Sequence, residues 1–385
     1  MKKLRVVMVV RLFFPWIGGT EKQAYKLAKT LMKRGIEVEI VTGWWFRGTS
    51  QHEMIDGIPV FRNITLWEMF GIRGLRRFGG YLYIVTLLWY LGRNRNDYDI
   101  IHVHGLNYHT FACVLAGRWF NKPVIAKLAN SGLESDIKKM YREQQLPLES
   151  YMLPTTLGCD YFLATTETIV EELTAEGVQK EKILQLPNGV ETDVIRPKED
   201  YGFDEDIIIA FVGRLHQQKG LDILLQGFNI LLDKFPSNKI RLQIVGDGPL
   251  KSELMALVSR LGLDSKVDFV GKSINVFPYL EKTDIFVLPS RAEGLSNALL
   301  EAMAFGLPVI ASNIPANKVL VQNEVTGLLF EVESADSLAN ALSSYLISED
   351  LRRQMGSSAR KLIETKYSLD GVSDRYIDLY NTLLD

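Results

Sequence analysis

"IIIAFVGRLHQQKGLDILLQGF" occupies residues 207–228. Its first six residues are apolar on both faces of a strand, so neither face can be left to water. After a short polar loop, Leu221, Leu224, Leu225 and Phe228 repeat at helical spacing. A strand buried on both sides and followed by an amphipathic helix predicts a parallel sheet covered by helices. The same pattern recurs along the chain. Strands are expected at 4–10, 37–41, 100–104, 124–128 and 161–164, then at 207–212, 240–245, 266–270, 285–288 and 308–311. Ten strands are many for one sheet, so the chain is divided in two near "LPNGVETDVIRPKEDYGFDED", 186–206, where turn residues and charges displace the apolar pattern. The fold class is α/β, with two Rossmann-like, doubly wound domains facing across a cleft. Ligands are expected where strands deliver their C-terminal ends. The segment 335–385 reads as successive amphipathic helices.

The 385 residues carry 44 Lys/Arg and 46 Asp/Glu, ordinary for a globular protein and no signature of nucleic-acid binding. The near-neutral total hides an asymmetry. Residues 1–195 hold 24 Lys/Arg against 20 Asp/Glu, and the remainder holds 20 against 26. Within 62–95 six arginines (62, 73, 76, 77, 93 and 95) face one acid, Glu68, around the apolar run "FGGYLYIVTLLWYLG" at 78–92. That run is too short to span a bilayer. Two readings stand for it: a core helix, or an element lying on an anionic membrane surface. The N-terminal "MKKLRVVMVVRLFFPW" is interrupted by Arg5 and Arg11 and lacks a cleavage pattern, so it reads as a first strand. Cys113 and Cys159 offer no disulfide framework and suit a reducing compartment. The expected location is cytoplasmic, or peripheral on the cytoplasmic face of a membrane.

Most of the informative residues follow a strand directly. In "RLFFPWIGGTEKQAYKLA" Gly18 and Gly19 precede Thr20, read as an N-cap, and Glu21 opens a helix whose amides suit a phosphate or a sugar. "DIIHVHGLN" ends a strand with His102 and His104 on one face. No third metal ligand accompanies them in sequence, so His104 at the strand end is read as a polar contact to substrate. In the opening stretch Arg214 and Lys219 bracket a loop before Gly220 and the helix, a natural clamp for a diphosphate. In "PSRAEGLSNALLEAMAFGLPVIAS", 289–312, Glu293 lies in a turn and Glu301 sits in an otherwise apolar helix, where a carboxylate adds nothing to packing unless something binds it.

Taken together, "VGRLHQQKG" and the later E-G-x6-E strongly resemble the group 1 family of retaining glycosyltransferases, whose fold is GT-B. The resemblance extends over essentially the whole chain, including the Gly-Gly loop, the His-x-His strand end and "LPNGVETD". It implies that Arg214 and Lys219 bind the diphosphate of a nucleotide sugar, that Glu293 holds donor-sugar hydroxyls and that Glu301 accepts from the ribose. The backbone of Gly294, Leu295 and Ser296 would meet sugar and phosphates, Gly18 and Gly19 would line the cleft from the other domain, and Val270, Gly271 and Lys272 would contact the base. His104 matches the histidine that contacts the donor sugar and helps stabilise the reacting centre. His104, Glu293, Arg214 and Lys219 are therefore the expected catalytic group. The last helix is expected to cross back, so the N-terminal acceptor-binding domain comprises 1–195 with 367–385, and the nucleotide-sugar domain 196–366. Many relatives place a histidine after the fifth strand, where this chain reads "IAKLANSGLES"; Lys127, Asn130 and Ser131 are assigned to the acceptor there.

The implied reaction is retaining transfer from a nucleotide-diphosphate donor, UDP-sugar by preference, to a saccharide or lipid-linked saccharide in cell-surface polysaccharide or glycolipid synthesis. No cofactor and no metal are expected: two cations and helix dipoles neutralise the leaving group, and the sequence is read as containing no D-x-D motif to hold a metal. The alternatives are a nucleotide-sugar epimerase of the same fold and an inactive binding or scaffold protein.

Overall fold

The computed structural model describes every residue except 1–2, 17, 66–75, 133–134, 144–146, 204–205, 238 and 385, and describes only the backbone of 76–78, 143 and 147–149. The chain forms two compact units, Met1–Gly189 with Leu369–Asp385, and Val190–Ser368.

The first unit is built on an eight-stranded sheet. Its strands are β1 (Arg5–Val10), β2 (Glu37–Gly43), β3 (His52–Ile55), β4 (Ile58–Asn63), β5 (Ile100–His104), β6 (Val124–Leu128), β7 (Tyr161–Ala164) and β8 (Ile183–Gln185), in the order β3-β4-β2-β1-β5-β6-β7-β8. Only the β3–β4 pair is antiparallel. Asp56 and Gly57 join those two strands, both at positive φ (48° and 84°), the arrangement an Asp-Gly hairpin turn demands. Val7, Val9, Ile101 and Val103 face one layer of helices, which includes Arg76–Arg93 and Tyr108–Phe120. Val6, Met8, Val10 and Ile100 face the other, formed by Gly19–Lys33 and Leu369–Thr382. The last helix buries Val372, Tyr376, Leu379 and Tyr380 in that second core. It therefore belongs physically to the first unit.

The second unit holds six parallel strands, β9 (Ile207–Val212), β10 (Ile240–Val245), β11 (Val267–Gly271), β12 (Ile285–Leu288), β13 (Val309–Ser312) and β14 (Leu328–Phe330), in the order β11-β10-β9-β12-β13-β14. Helices cover both faces, and the apolar strand residues close one continuous core. Each sheet reverses its winding once, between β1 and β5 in the first unit and between β9 and β12 in the second. Those two places are where a doubly wound sheet opens a crevice beyond its strand ends.

Two expectations need correction, and the open choice at 78–92 gains a packed helix face. Thr20 does not cap the first helix. The helix starts at Gly19 and Gly18 is the cap, its N–H donated to the Glu21 carboxylate at 2.9 Å. A Cβ on Gly18 would lie 2.6 Å from that same oxygen, so a larger residue there would have to displace the Glu21 carboxylate that reaches back to it. Arg62 is no part of a basic surface. It is 2% exposed, bonds the carbonyls of Ser50 and Phe14 at 2.7 and 3.0 Å, and pairs with Glu53 at 2.5 Å. The run 78–92 is a helix with a packed side. Tyr83, Leu87 and Leu91 are fully buried in it, while Val85 and Trp89 stay 62% and 61% exposed. Arg73 lies outside the described residues, as do the side chains of Arg76 and Arg77. No helix among the described residues is long and apolar enough to cross a membrane.

Candidate active site

In the second unit the loops 213–220 and 289–296 leave the adjacent ends of β9 and β12, on either side of the winding reversal. They are stitched together by backbone and side chain. Arg291 N donates to Gln218 O at 2.7 Å, and Gln218 Nε2 returns a bond to Ala292 O at 2.7 Å. Gly220 has φ 62°, and a Cβ there would sit 2.1 Å from Pro289 O, so the close approach of the two loops requires glycine.

That approach brings together residues 74 positions apart. Lys219 Nζ meets Glu293 Oε1 at 2.5 Å, with the two side chains only 20% and 8% exposed. Ser290 Oγ donates to the same carboxylate oxygen at 2.6 Å. Behind it, Ser312 Oγ donates to Ser290 O, and Asn317 Nδ2 donates to Ser312 O and Oγ at 2.9 and 3.0 Å. Glu293 is therefore held at the end of a buried hydrogen-bonded chain rather than hanging from a loose turn. Arg291 ties the loops further. It makes 2.9 and 2.7 Å bonds to Asp222, 2.5 and 2.8 Å bonds to Glu333, and one of 2.7 Å to Gln217 O. The Asp222 and Glu333 carboxylates hold its guanidinium pKa above the usual value. Glu333 takes φ 63°, a left-handed backbone uncommon for a residue with a side chain, at the position that reaches Arg291.

Arg214 is exposed, and no ion pair engages it among the described residues. Its charge is thus available to a ligand at the same loop that carries Lys219. Glu301 lies in the helix Asn297–Ala304 and is only 3% exposed, so it is not part of a solvated face. Leu295 and Ser296 are buried at the start of that helix, and Ser296 Oγ caps it by accepting from Leu299 N at 3.4 Å. Gly294 precedes them, half-buried. Val270 and Gly271 end β11, Gly271 O accepts from Gly246 N at 2.9 Å, and Lys272 is exposed. All these residues belong to the second unit and rim its strand ends.

In the first unit His104 ends β5 and is 3% exposed. His102 stacks on it at 4.5 Å between ring centroids, and Tyr380 OH lies 2.7 Å from His102 Nδ1. Burial, with Lys127 nearby, lowers the His102 pKa to about 3 and takes His104 well below its ordinary value. His104 is consequently a neutral ring, suited to hydrogen bonding and not to supplying positive charge. Gly18 and Gly19 begin the helix that follows β1. Lys127 is 4% exposed at the end of β6, Asn130 donates to Asp136 at 2.9 Å, and Ser131 is buried beside it.

Sequence reasoning missed Ser290, Ser312, Asn317, Arg291 and Asp222: Ser312, Arg291 and Asp222 act through partners remote in sequence, and Ser290 and Asn317 matter only as links in the chain those contacts complete. It also passed over a literal D-x-D triplet, Asp97-Tyr98-Asp99. That triplet precedes β5, at the opposite strand end from His104, and Asp99 is bound to Arg5 at 3.1 Å. A second triplet, 204–206, lies partly outside the described residues.

Two family models match in succession: Glycosyltransferase Family 4 over residues 17–194 and Glycosyl transferases group 1 over 195–362. The chain is 25% identical to an N-acetyl-alpha-D-glucosaminyl L-malate synthase from Bacillus anthracis, across 96% of both proteins. It is 27% identical to an Escherichia coli UDP-Gal:alpha-D-GlcNAc-diphosphoundecaprenol alpha-1,3-galactosyltransferase, across 74% of this chain and 76% of that one. Its fold is similar to that of sucrose-phosphate synthase from Thermosynechococcus elongatus, with a TM-score of 0.82, 20% identity and 99% of each chain covered. By these matches and its two doubly wound units, the chain belongs to the group 1 glycosyltransferases and has the GT-B fold.

Proposed function

We propose that the protein transfers a sugar, with retention and without a metal, from a UDP-sugar to a saccharide or lipid-linked saccharide acceptor in cell-surface polysaccharide or glycolipid synthesis. The observation that carries this reading is the pairing of Lys219 with a nearly buried Glu293, beside a free Arg214 at one crevice of the second unit. In the proposed reaction Lys219 and Arg214 take the diphosphate. Each charged hydrogen bond is worth about 1.5–3 kcal/mol, and the negative charge that develops on the leaving group strengthens both. As the diphosphate draws Lys219, Glu293 is released to accept from a sugar hydroxyl. Glu301 accepts from the ribose, Gly294, Leu295 and Ser296 meet sugar and phosphates through the backbone, and Val270, Gly271 and Lys272 flank the base. Gly18, Gly19 and a neutral His104 serve the sugar as hydrogen-bonding groups. No side chain is assigned as a covalent nucleophile, so retention is assigned to a front-side path through an oxocarbenium-like state.

UDP is preferred as the donor base because one similar enzyme carries UDP-Gal in its name. That enzyme's named acceptor is lipid-linked, which favours a membrane-borne acceptor here. Val85 and Trp89, exposed beside Arg93, suit the edge of an anionic surface. The decisive experiment incubates the protein with UDP-, GDP- and ADP-sugars and follows nucleotide release, then determines the anomeric configuration of any product by NMR. Failure to bind or turn over any of them would leave a scaffold role, and an isomerised donor without transfer would favour an epimerase.

A further inference from the structure

The first unit has a crevice of its own, where its winding reverses between β1 and β5. Register places Val10 beside His104, and His104 beside Lys127. Three neighbouring strand ends thus lie side by side, and at about 4.8 Å per strand they span about 10 Å. Arg11 follows Val10 directly. Neither Arg11 nor Lys127 has an ion-pair partner among the described residues. The positive charge of Arg11 is felt at His109, whose Nε2 bonds His104 O at 3.0 Å, and that of Lys127 is felt at both His102 and His104.

The crest is therefore one unpaired cation, Lys127, beside the neutral imidazoles of His102 and His104, with Arg11 acting on His109 instead. Its floor is aromatic: Lys127 Nζ stands 5.4 Å from the ring centroid of Tyr376, and Tyr380 OH holds His102. His102 Nε2, His104 Nε2 and the Tyr376 hydroxyl are buried with no hydrogen-bond partner among the described residues. An ammonium buried at 4% exposure over an aromatic face alone is poorly compensated. Three orphaned polar atoms around it make the arrangement costly unless a ligand completes it. Desolvation accordingly lowers the Lys127 pKa to about 7, and an anion would restore its charge.

We propose that this crest receives an anionic oxyacid group of the acceptor, a phosphate or a carboxylate, with Lys127 as its cation and His104 Nε2 hydrogen-bonding beside it. The assignment rests on the glycosyl-transfer reading, since the group bound here is taken to belong to the acceptor. It narrows the acceptor from saccharides in general to those bearing a negative charge close to the reacting hydroxyl.

The test is calorimetric, on the full chain with UDP present to fill the nucleotide site. Inorganic phosphate and malonate are titrated into the wild type, Lys127→Met, Lys127→Arg and Arg11→Gln, with glycerol as the uncharged control. Vesicles of phosphatidic acid in phosphatidylcholine, against phosphatidylcholine alone, distinguish a lipid-borne phosphate from a soluble one. The expected result is anion binding by the wild type, weakened tenfold or more in Lys127→Met, and largely kept in Lys127→Arg and in the Arg11→Gln control. Binding of either soluble anion assigns the crest to a soluble acceptor. Binding of the acidic vesicles alone, lost in Lys127→Met, assigns it to a lipid-borne one. Equal anion affinity in wild type and Lys127→Met, with UDP affinity retained as evidence of an intact fold, overturns the proposal, as does a wild type that binds no anion. If UDP itself fails to bind, the donor reading falls, and the comparison of Lys127→Met with wild type still judges the crest alone.

Discussion

Removing the Lys219 amine isolates two effects that the structure superimposes. Lys219→Ala deletes a proposed diphosphate contact and also removes the paired cation from Glu293, whose side chain is 8% exposed and bonded by the Ser290 hydroxyl. The first effect is about 1.5–3 kcal/mol of nucleotide affinity, a rise in Kd of roughly 10- to 150-fold. The second is a loss of folding stability. A fully dry pair would lose about 3–5 kcal/mol on deletion of one partner. Lys219 keeps 20% side-chain exposure, so a loss of about 1–3 kcal/mol is expected. Adding Glu293→Gln separates the two, because glutamine keeps the bond from Ser290 without the buried charge. Urea unfolding should show stability returning towards wild type in the double variant, while UDP calorimetry shows affinity still lost. If Lys219→Ala binds UDP as the wild type does, or if Glu293→Gln restores the lost affinity, Lys219 merely neutralises Glu293 and the diphosphate clamp is wrong.

The two glutamates should fail differently. Glu301→Ala should weaken UDP binding by about 1.5–3 kcal/mol, whereas Glu293→Ala should leave it intact or tighter, by freeing Lys219, and abolish most transfer; equal affinity losses by calorimetry would refute both roles. EDTA should leave transfer largely unchanged, and activity lost to EDTA and restored by magnesium or manganese would show that Arg214 and Lys219 do not suffice for the leaving group. Binding to anionic vesicles should fall with salt and on changing Arg73, Arg76 and Arg77 to Ser, at about 1 kcal/mol per residue; wild type left in the supernatant at low salt would count against a membrane-borne acceptor. Lys127 should imprint itself on the pH dependence of stability. Its folded pKa of about 7 lies below the ordinary 10.5, so between those values the unfolded chain holds a proton that the folded chain has released, and stability from this group rises with pH. Lys127→Met should therefore exceed the wild type by more than about 1 kcal/mol below pH 7, with the gap closing as pH rises; parallel stability curves would refute it.

Most of the parallel strands were legible because they are short runs dominated by apolar, often β-branched residues, such as Arg5–Val10, Ile100–His104 and Ile207–Val212, a pattern few other elements share. The elements that escaped are short or differently signed. β8 and β14 have three residues each, too few for a period to show. The β3–β4 hairpin carries an explicit signal in Asp56-Gly57, hidden by the surrounding parallel pattern. Site residues were visible one at a time, as cations after a strand or carboxylates where packing has no use for them. Their pairings were not, since Lys219 meets Glu293 only because β9 and β12 are neighbours in the sheet. Nor does a helical sequence tell a surface glutamate from a buried one. The 3% exposure of Glu301 is set by how the helix Asn297–Ala304 lies against the sheet.

The helix Leu369–Thr382 gives the molecule a chronology. Residues up to 189 leave the ribosome with their sheet lacking Val372, Tyr376, Leu379 and Tyr380, the side chains that close one of its two cores. At about 5–20 residues per second, roughly 10–40 s of synthesis pass before that helix arrives. The unit spanning Val190–Ser368 is contiguous and free to fold in the meantime. The earliest-made half is thus the last to be finished, and its uncovered apolar face is the part of the nascent chain most in need of a chaperone.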